Sequence, residues 1–542
     1  MAVFCGVPAR KSGMTFPPVC RGMVPYIVCR AEMGLSCLTG ILAIRVLAAM
    51  FEIVVRPLAS FGIERESIPA PMSSSPALRN SPSTCPADGR AMWSPRNTAL
   101  SRRGTDSHLK VSPGELFDVS ECGNGETAEL QELSCSGHGA AVATVGSETV
   151  TRREGEKMEG YSRPDGHAGA RNYVAVVPTV GCVNEVARRI GMAVEGARPM
   201  LHHQGCCQLP TDVKIVTDVL IGLCRNPNVA AVVLVSLGCE SVKVDEMVAV
   251  LKDEKPVEVV RVQAMGGITV ATEKGIEAAR RLVDMVKAER REVSLSELII
   301  GVKCGASDTT SGLASNTAAG AAVDMFVRAG ATVIFGETTE VIGAEHILVR
   351  RASTPEVAEK LLGYVRAMEN RATAMGVDMR GGQPTEGNIK GGLTTIEEKS
   401  LGAIVKGGTM PIDGVVEYGE RPARPGLYFM DSPGREMEFL TGLGSVGCQV
   451  MLFSTGIGAP QGFPLSPVVK ISGNKNTCKN LSEHIDMDVS AIVSGTESVA
   501  DAGKRVFDTA LRVFSGEQVK AEILDYDGAG VNCNIYTVGP TI

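Results

Sequence analysis

The residues best suited to chemistry in this 542-residue chain recur at the ends of short apolar runs. "LIIGVKCGASDTTSG", Leu298 to Gly312, passes from an apolar run into Cys304 and then Ser307, Asp308 and Thr309. "NYVAVVP" is followed by Cys182 and Asn184, the run at Pro199 to His202 by His203, Cys206, Cys207 and Gln208, and "NVAAVVLVSLG" by Cys239 and Glu240. A fifth exit, after Phe335, reads "GETTEVIGAEH" and carries Glu337, Glu340, Glu345 and His346. Thiolates, imidazoles and carboxylates at one edge suit iron or another transition metal better than magnesium or calcium. Cysteine also packs readily as a small buried apolar residue, so any one of these thiols argues weakly and four in the same position argue together.

Lysines supply a second group. "EGNIKGGLTTIEEKS" places Lys390 in a glycine-rich loop and Lys399 on a helix that follows. Such loops bind anions through backbone N–H groups, and the absence of GxxxxGK[ST] excludes a nucleotide P-loop. "FSTGIGAPQGFP" contains a GxGxxxG with no helix pattern behind it, a weak match to a dinucleotide fingerprint that rules against a nicotinamide cofactor. "EHIDMDV", with His484, Asp486 and Asp488, is compatible with a metal site or a hydroxyl-binding edge, and equally with a solvated turn.

The elements that must position these groups follow from periodicity. From Tyr173 onward, β-branched runs alternate with helical patterns, as in βαβ units of a parallel sheet. Strands are expected at 172–178, 199–202, 228–238 and 256–263, with helices at 184–194, 212–224 and 276–293, the last with an apolar face of Ile276, Ala279, Leu282, Val283 and Val286. A second set begins with a strand at 298–302, a helix with Asn316 as its N-cap, and a strand at 331–336. Strands at "GLYFMD", "CQVMLFST" and "PVVKISG" and a helix at Val499 to Phe514 complete it. The fold class is therefore α/β, with two parallel-sheet, Rossmann-like domains over 158–294 and 295–542. Residues 1–157, rich in Ser, Pro and Arg, read as an irregular or disordered extension, or as a leader preceding a start at Met158. Within them Leu35 to Val55 is apolar, but Arg45 and Glu52 argue against a membrane span.

A net charge of −7 with scattered basic residues argues against a nucleic-acid surface. Sixteen cysteines at irregular spacing without a CxxC fit neither a disulfide framework nor a zinc finger, and point to a reducing, cytoplasmic setting.

From Met158 to about Asp527 the chain resembles the altronate/galactarate dehydratase family, which also contains the large subunit of sulfolactate sulfo-lyase. The stretches that carry the resemblance are "GYSRPDGHAGARNYV", "HHQGCCQL", "NPNVAAVVLVSLGCE", "KCGASDTTSG", "FGETTEVIGAEH", "GNIKGGLTTIEEKSLG", "FMDSPG" and "HIDMDVS". The stretches around Cys304, Lys390 and His484 look closest to the sulfo-lyase branch, whereas Cys182, His202, Cys206, Cys239 and Glu240 look like the dehydratase branch. Residues 1–157 show no counterpart of the small SAF-type domain that many members carry, so a separate small SAF-type subunit is implied.

The resemblance implies β-elimination from a sugar acid or another 2-hydroxy acid, in which a base removes the C2 proton and a cation stabilises the enediolate. The strand-end cluster would supply that cation as Fe2+ or Mn2+, or as an iron-sulfur cluster, with Cys182, Cys206, Cys239 and Cys304 as expected ligands and His202 in support. Glu337 or Lys390 would act as acid or base, and Ser307, Asp308, Thr309 and Asn388 would hold the substrate. The expected activity is a hydro-lyase on altronate or galactarate; the alternatives are sulfolactate sulfo-lyase and a non-catalytic binder of metal or acid. An oligomer is expected, with neither membrane nor nucleic acid as partner.

Overall fold

Strand "VAAVVLVS" shows why these sequences form buried parallel sheets. Its β-branched residues suit a pleated surface covered on both faces, and six of its last seven side chains are buried. The computed structural model describes residues 158–382, 384–526 and 532–542, all within one compact unit. The expectations for residues 1–157, including the apolar stretch at 35–55, lie outside the described residues.

Three sheets are present among the described residues. A small antiparallel one joins β1 (Glu159–Ser162), β2 (Ala168–Gly169) and β7 (Arg291–Glu292). The first parallel sheet has the order β4-β3-β5-β6, from β3 (Tyr173–Pro178), β4 (Ala197–Pro199), β5 (Val229–Ser236) and β6 (Val257–Arg261). The second has seven parallel strands in the order β10-β11-β9-β8-β12-β13-β14. They are β8 (Ile299–Gly305), β9 (Thr332–Gly336), β10 (Gly414–Val416), β11 (Leu427–Met430), β12 (Val450–Thr455), β13 (Val468–Ser472) and β14 (Met487–Asp488). One apolar cluster contains Ala175, Val177 and Leu234 of the first sheet with Ile299, Ile334, Met430 and Met451 of the second. The two sheets therefore share a core. Among the described residues no helix is long and apolar enough to cross a membrane.

Several boundaries differ from expectation. The helix expected at 276–293 runs from Ile268 to Met285, burying Ala271, Gly275, Ala278, Ala279 and Leu282, while 291–292 pair with β1. Asn316 is not an N-cap. A continuous helical run occupies 309–328, with a π-turn at Ser311–Ser315, and Asp308 caps it by accepting from the N–H groups of Thr310 and Ser311 at 2.9 and 3.1 Å. β8 continues past Val302, so Lys303 and Cys304 lie inside a strand that is buried from Ile299 to Cys304.

Candidate active site

β8 and β9 run side by side in the middle of the second sheet, and β11 flanks β9. Parallel sheets expose ligand-binding groups at the carboxyl ends of such strands. At this edge Lys303, Cys304, Glu337 and Lys406 form one buried cluster. Glu337 Oε1 lies 2.6 Å from Lys303 Nζ and Oε2 lies 2.9 Å from Lys406 Nζ, with all three side chains at most 1% exposed. The N–H of Cys304 donates to Glu337 Oε2 at 3.1 Å, and Lys406 Nζ donates to Cys304 Sγ at 3.2 Å. Lys303 also donates to the Cys304 carbonyl at 2.8 Å and faces the rings of Phe439 and Phe453.

Backbone strain accompanies this cluster. Glu337 has φ 73° and Ala306 φ 47°, both left-handed, at the exits of adjacent strands. Such conformations cost on the order of 1–3 kcal/mol each and persist where the surroundings enforce them. At Glu337 the enforcement comes from the segment just after β11: the Glu337 N–H donates to Ser432 Oγ at 2.9 Å, and Thr338 N–H to the Ser432 carbonyl at 2.9 Å.

Electrostatics fix the protonation pattern. Burial opposes the Glu337 charge, but Lys303 and Lys406 outweigh it and hold the carboxyl below the usual range. Burial likewise opposes the Lys406 ammonium, but Cys304 where it ionises, together with the carboxylates of Glu337 and Glu340, holds it above the ordinary lysine value. Burial pushes the Cys304 thiol up to about 12, with Lys406 offsetting part of the rise. At neutral pH Cys304 is thus a thiol, and the counterions of the lysines are carboxylates.

Beside the cluster lies a cleft of about 340 Å3, lined by Ser307, Asp308, Thr309, Leu313, Asn316, Glu398 and Lys399 among others. Its size suits a small molecule, since such sites run from roughly 300 to 1,000 Å3. A larger cleft, about 900 Å3, opens elsewhere between Arg163, Lys255, Glu254 and Arg421, with none of the strand-end residues in its wall.

The substrate residues expected from sequence do gather here, with divided roles. Ser307 and Thr309 line the cleft. Asp308 spends its carboxylate on the helix cap and on Asn474, whose amide donates to Oδ2 at 2.7 Å. Asn388 ties loops together, donating to the Ser307 carbonyl at 2.9 Å and accepting from Thr385 Oγ1 at 2.9 Å. Lys390 stands apart: its side chain is 75% exposed and pairs with Glu386 at 2.7 Å. Lys399, by contrast, lines the cleft and pairs with Glu340 at 3.0 Å.

The expected metal ligands do not form one set. His202 is buried, with Nε2 2.7 Å from the Pro178 carbonyl and Nδ1 accepting from the Gln204 N–H at 3.2 Å, so neither nitrogen is left for an ion. Cys304 is sealed with Lys406. Cys182, Cys206, Cys207 and Cys239 are exposed. Their loops at the first sheet's edge are tied by Gly181 N–H to the Gln204 carbonyl at 3.0 Å and Ser241 N–H to the Gly205 carbonyl at 2.9 Å. Glu240 braces the same edge, accepting from Thr179 Oγ1, Ser236 Oγ and the Gly238 N–H. Accessible thiols are donors that iron accepts, so Cys182, Cys206 and Cys239 fit by type while His202 and Cys304 do not. Among the described residues no three His, Cys, Asp or Glu side chains are gathered closely enough to hold an ion as they stand.

Sequence reasoning missed Lys303 and Lys406. A lysine inside "LIIGVKCG" was the available signal, because lysine is almost never fully buried unless paired.

Fold and site together describe an α/β protein with a buried charged cluster at the carboxyl edge of a parallel sheet. The chain belongs to the D-galactarate/altronate dehydratase family, whose second-domain model matches residues 160–287 and whose C-terminal model matches 295–536. It is 36% identical over 381 residues to the (2R)-sulfolactate sulfo-lyase subunit beta of Chromohalobacter salexigens, covering 69% of this chain and 96% of that one. It is 33% identical over 377 residues to the altronate dehydratase of Escherichia coli, covering 68% and 75% respectively. Against the galactarate dehydratase (L-threo-forming) of the same organism the identity is 30% over 409 residues, covering 70% and 77%. The relatives are lyases by name, and the chain falls in that class.

Proposed function

We propose that this chain is the catalytic subunit of a lyase that eliminates the C3 substituent of a 2-hydroxy acid, dehydrating a sugar acid such as altronate or galactarate to a 2-keto-3-deoxy acid. The observation that carries the reading is the buried Lys303–Glu337–Lys406 cluster beside the cleft of Ser307 and Thr309. The C2 proton of a carboxylate is weakly acidic, so its removal needs preorganised positive charge near the developing enediolate. Glu337 holds the ammoniums of Lys303 and Lys406 at the sheet edge, and Lys399, paired with Glu340, stands in the cleft wall with Ser307 and Thr309. Ser307 and Thr309 have the hydroxyls to orient those of the substrate. Glu337 is sealed from the cleft and acts as fixed charge. Lys390 faces solvent.

Iron or manganese, bound at the exposed thiols of Cys182, Cys206 and Cys239 as a single ion or a cluster, would add Lewis acidity. A small partner subunit is part of the proposal, because a relative matched over 96% of its length is named as a subunit beta. The same match favours a second reading, release of sulfite from sulfolactate. A cytoplasmic oligomer is the proposed setting.

Incubation with altronate, galactarate and sulfolactate, with ferrous iron under anaerobic conditions and with a small subunit supplied, separates the readings. A 2-keto acid from either sugar acid supports the dehydratase, and sulfite release supports the sulfo-lyase. No product from any of the three refutes both.

A further inference from the structure

Cys206 and Cys207 are neighbours in sequence, and their sulfurs touch at 3.5 Å. Consecutive residues rarely bring their side chains together; along a strand they point to opposite faces. Here Cys207 has φ 56°, a left-handed value that few non-glycine residues adopt, and the turn it makes sets both sulfurs on one side. The chain is held in that turn by its surroundings. Gly205 N–H donates to Gln208 Oε1 at 2.9 Å, Ser241 N–H to the Gly205 carbonyl at 2.9 Å, and Ile542 N–H to the Cys207 carbonyl at 3.0 Å. Gln208 also bridges to Thr541. A conformation of this kind costs on the order of 1–3 kcal/mol and persists where the neighbours enforce it. No core packing of the two thiols calls for it, because both side chains are left in solvent.

The reaction open to two touching, accessible thiols is their joining. The sulfurs must close from 3.5 Å to the roughly 2.05 Å of a disulfide. The ring so formed is small and strained, and strained or exposed disulfides are the labile, reversible ones rather than structural staples.

We propose that Cys206 and Cys207 form a reversible redox site, which a peroxide closes to a disulfide between the neighbours and a thiol reductant reopens. One sulfur attacks the O–O bond and is oxidised to a sulfenic acid, and the other peroxide oxygen leaves as water. The second sulfur then displaces the sulfenic oxygen, which leaves as a second water, and the S–S bond forms. The two thiols thereby give up two protons and two electrons, all of which end in the two waters. Closure withdraws Cys206 from the thiols available to a metal; the disulfide itself rests neither on the proposed iron nor on the proposed reaction.

The test uses the full chain, depleted of metal and reduced, with the reductant then removed under nitrogen. Trypsin places both cysteines in one peptide, residues 190–214, which contains no other cysteine. After hydrogen peroxide and then maleimide, that peptide is expected to have lost two hydrogens, to carry no maleimide and to be linked to no other peptide. Brief dithiothreitol treatment before the maleimide restores both labelling sites. Cys182 is the competing thiol, since it lies within electrostatic reach of Cys207. Cys182→Ser, compared with the parent by thermal unfolding, therefore keeps the loss of two hydrogens, and Cys207→Ser abolishes it and leaves Cys206 to gain oxygen. In the parent, a gain of oxygen without the loss of hydrogens, a cross-link from either cysteine to another thiol in place of the pair, or no reaction at all overturns the proposal.

Discussion

Glu337 accepts from Lys303 at 2.6 Å while its own backbone is held left-handed at φ 73°, so one residue joins the strain of β9's exit to the charge of β8. Neither feature is explained by the other strand alone. The carboxylate is the shared counterion of two buried ammoniums, and removing it leaves both uncompensated.

Glu337→Gln is therefore expected to destabilise the fold by about 3–5 kcal/mol, the cost of breaking a buried pair from one side. Its carboxyl is held low, so the stability it contributes is present above the ordinary carboxylate range and is lost as pH falls below it. Lys406 is held high, so its contribution is present at neutral pH and lost as pH rises past the ordinary lysine range. Urea unfolding of parent and variant at several pH values reads both limbs. A variant as stable as the parent, with the same acid limb, contradicts this account.

Thiol labelling should divide the cysteines by position. Cys304, buried and pushed up to about 12, stays unmodified by a maleimide at pH 7.5, whereas Cys182, Cys206, Cys207 and Cys239 react in metal-depleted protein. Peptide mass spectrometry of the native protein gives the pattern directly. Cys304→Ala should also leave the iron content of anaerobically purified protein unchanged; a loss of iron would return Cys304 to the ligand set.

His202 supplies a pH signature of its own. Burial lowers its pKa to about 4, so the folded protein holds the ring neutral where the unfolded chain protonates it. The associated stability is complete above about pH 6.5 and fades towards pH 4, by roughly 3 kcal/mol at 1.36 kcal/mol per unit. His202→Asn should flatten that part of the profile. An unchanged slope between pH 6.5 and 4 would rule the assignment out.

The carboxyl-terminal segment makes a fourth expectation concrete. Leu201 N–H donates to Asn532 Oδ1, Cys533 N–H to the Leu201 carbonyl, Gly539 N–H to Asp212 Oδ2 and Ile542 N–H to the Cys207 carbonyl, at 2.8, 2.9, 3.0 and 3.0 Å. The segment straps down the loop that carries Cys206. Deleting residues 538–542 should speed hydrogen exchange at 204–208 while leaving β8 protected. Equal exchange rates in the two proteins would show that the strap contributes nothing.

Periodicity in the sequence determined the parallel α/β class and most strands of both sheets, because β-branched runs such as "VAAVVLVS" have no other stable burial. It also determined that Cys182, Cys206, Cys239 and Glu337 follow strand ends, since a residue's place after its own strand is a local property, whereas Cys304 lies inside β8. It did not determine the short pairing strands β1, β2, β7, β10 and β14, whose two to four residues have no period and exist through their partners. Nor could it tell Cys304 from Cys206, or Lys399 from Lys390. Those distinctions were decided by tertiary structure, because burial and ion pairing depend on what the neighbouring strand brings. Cys304 is sealed since Lys406, 102 residues away, packs on it, and Lys399 is drawn inward since Glu340 waits beside the cleft. The single lysine in "LIIGVKCG" was legible as a residue out of place; its purpose appeared only when β9 delivered Glu337 to it.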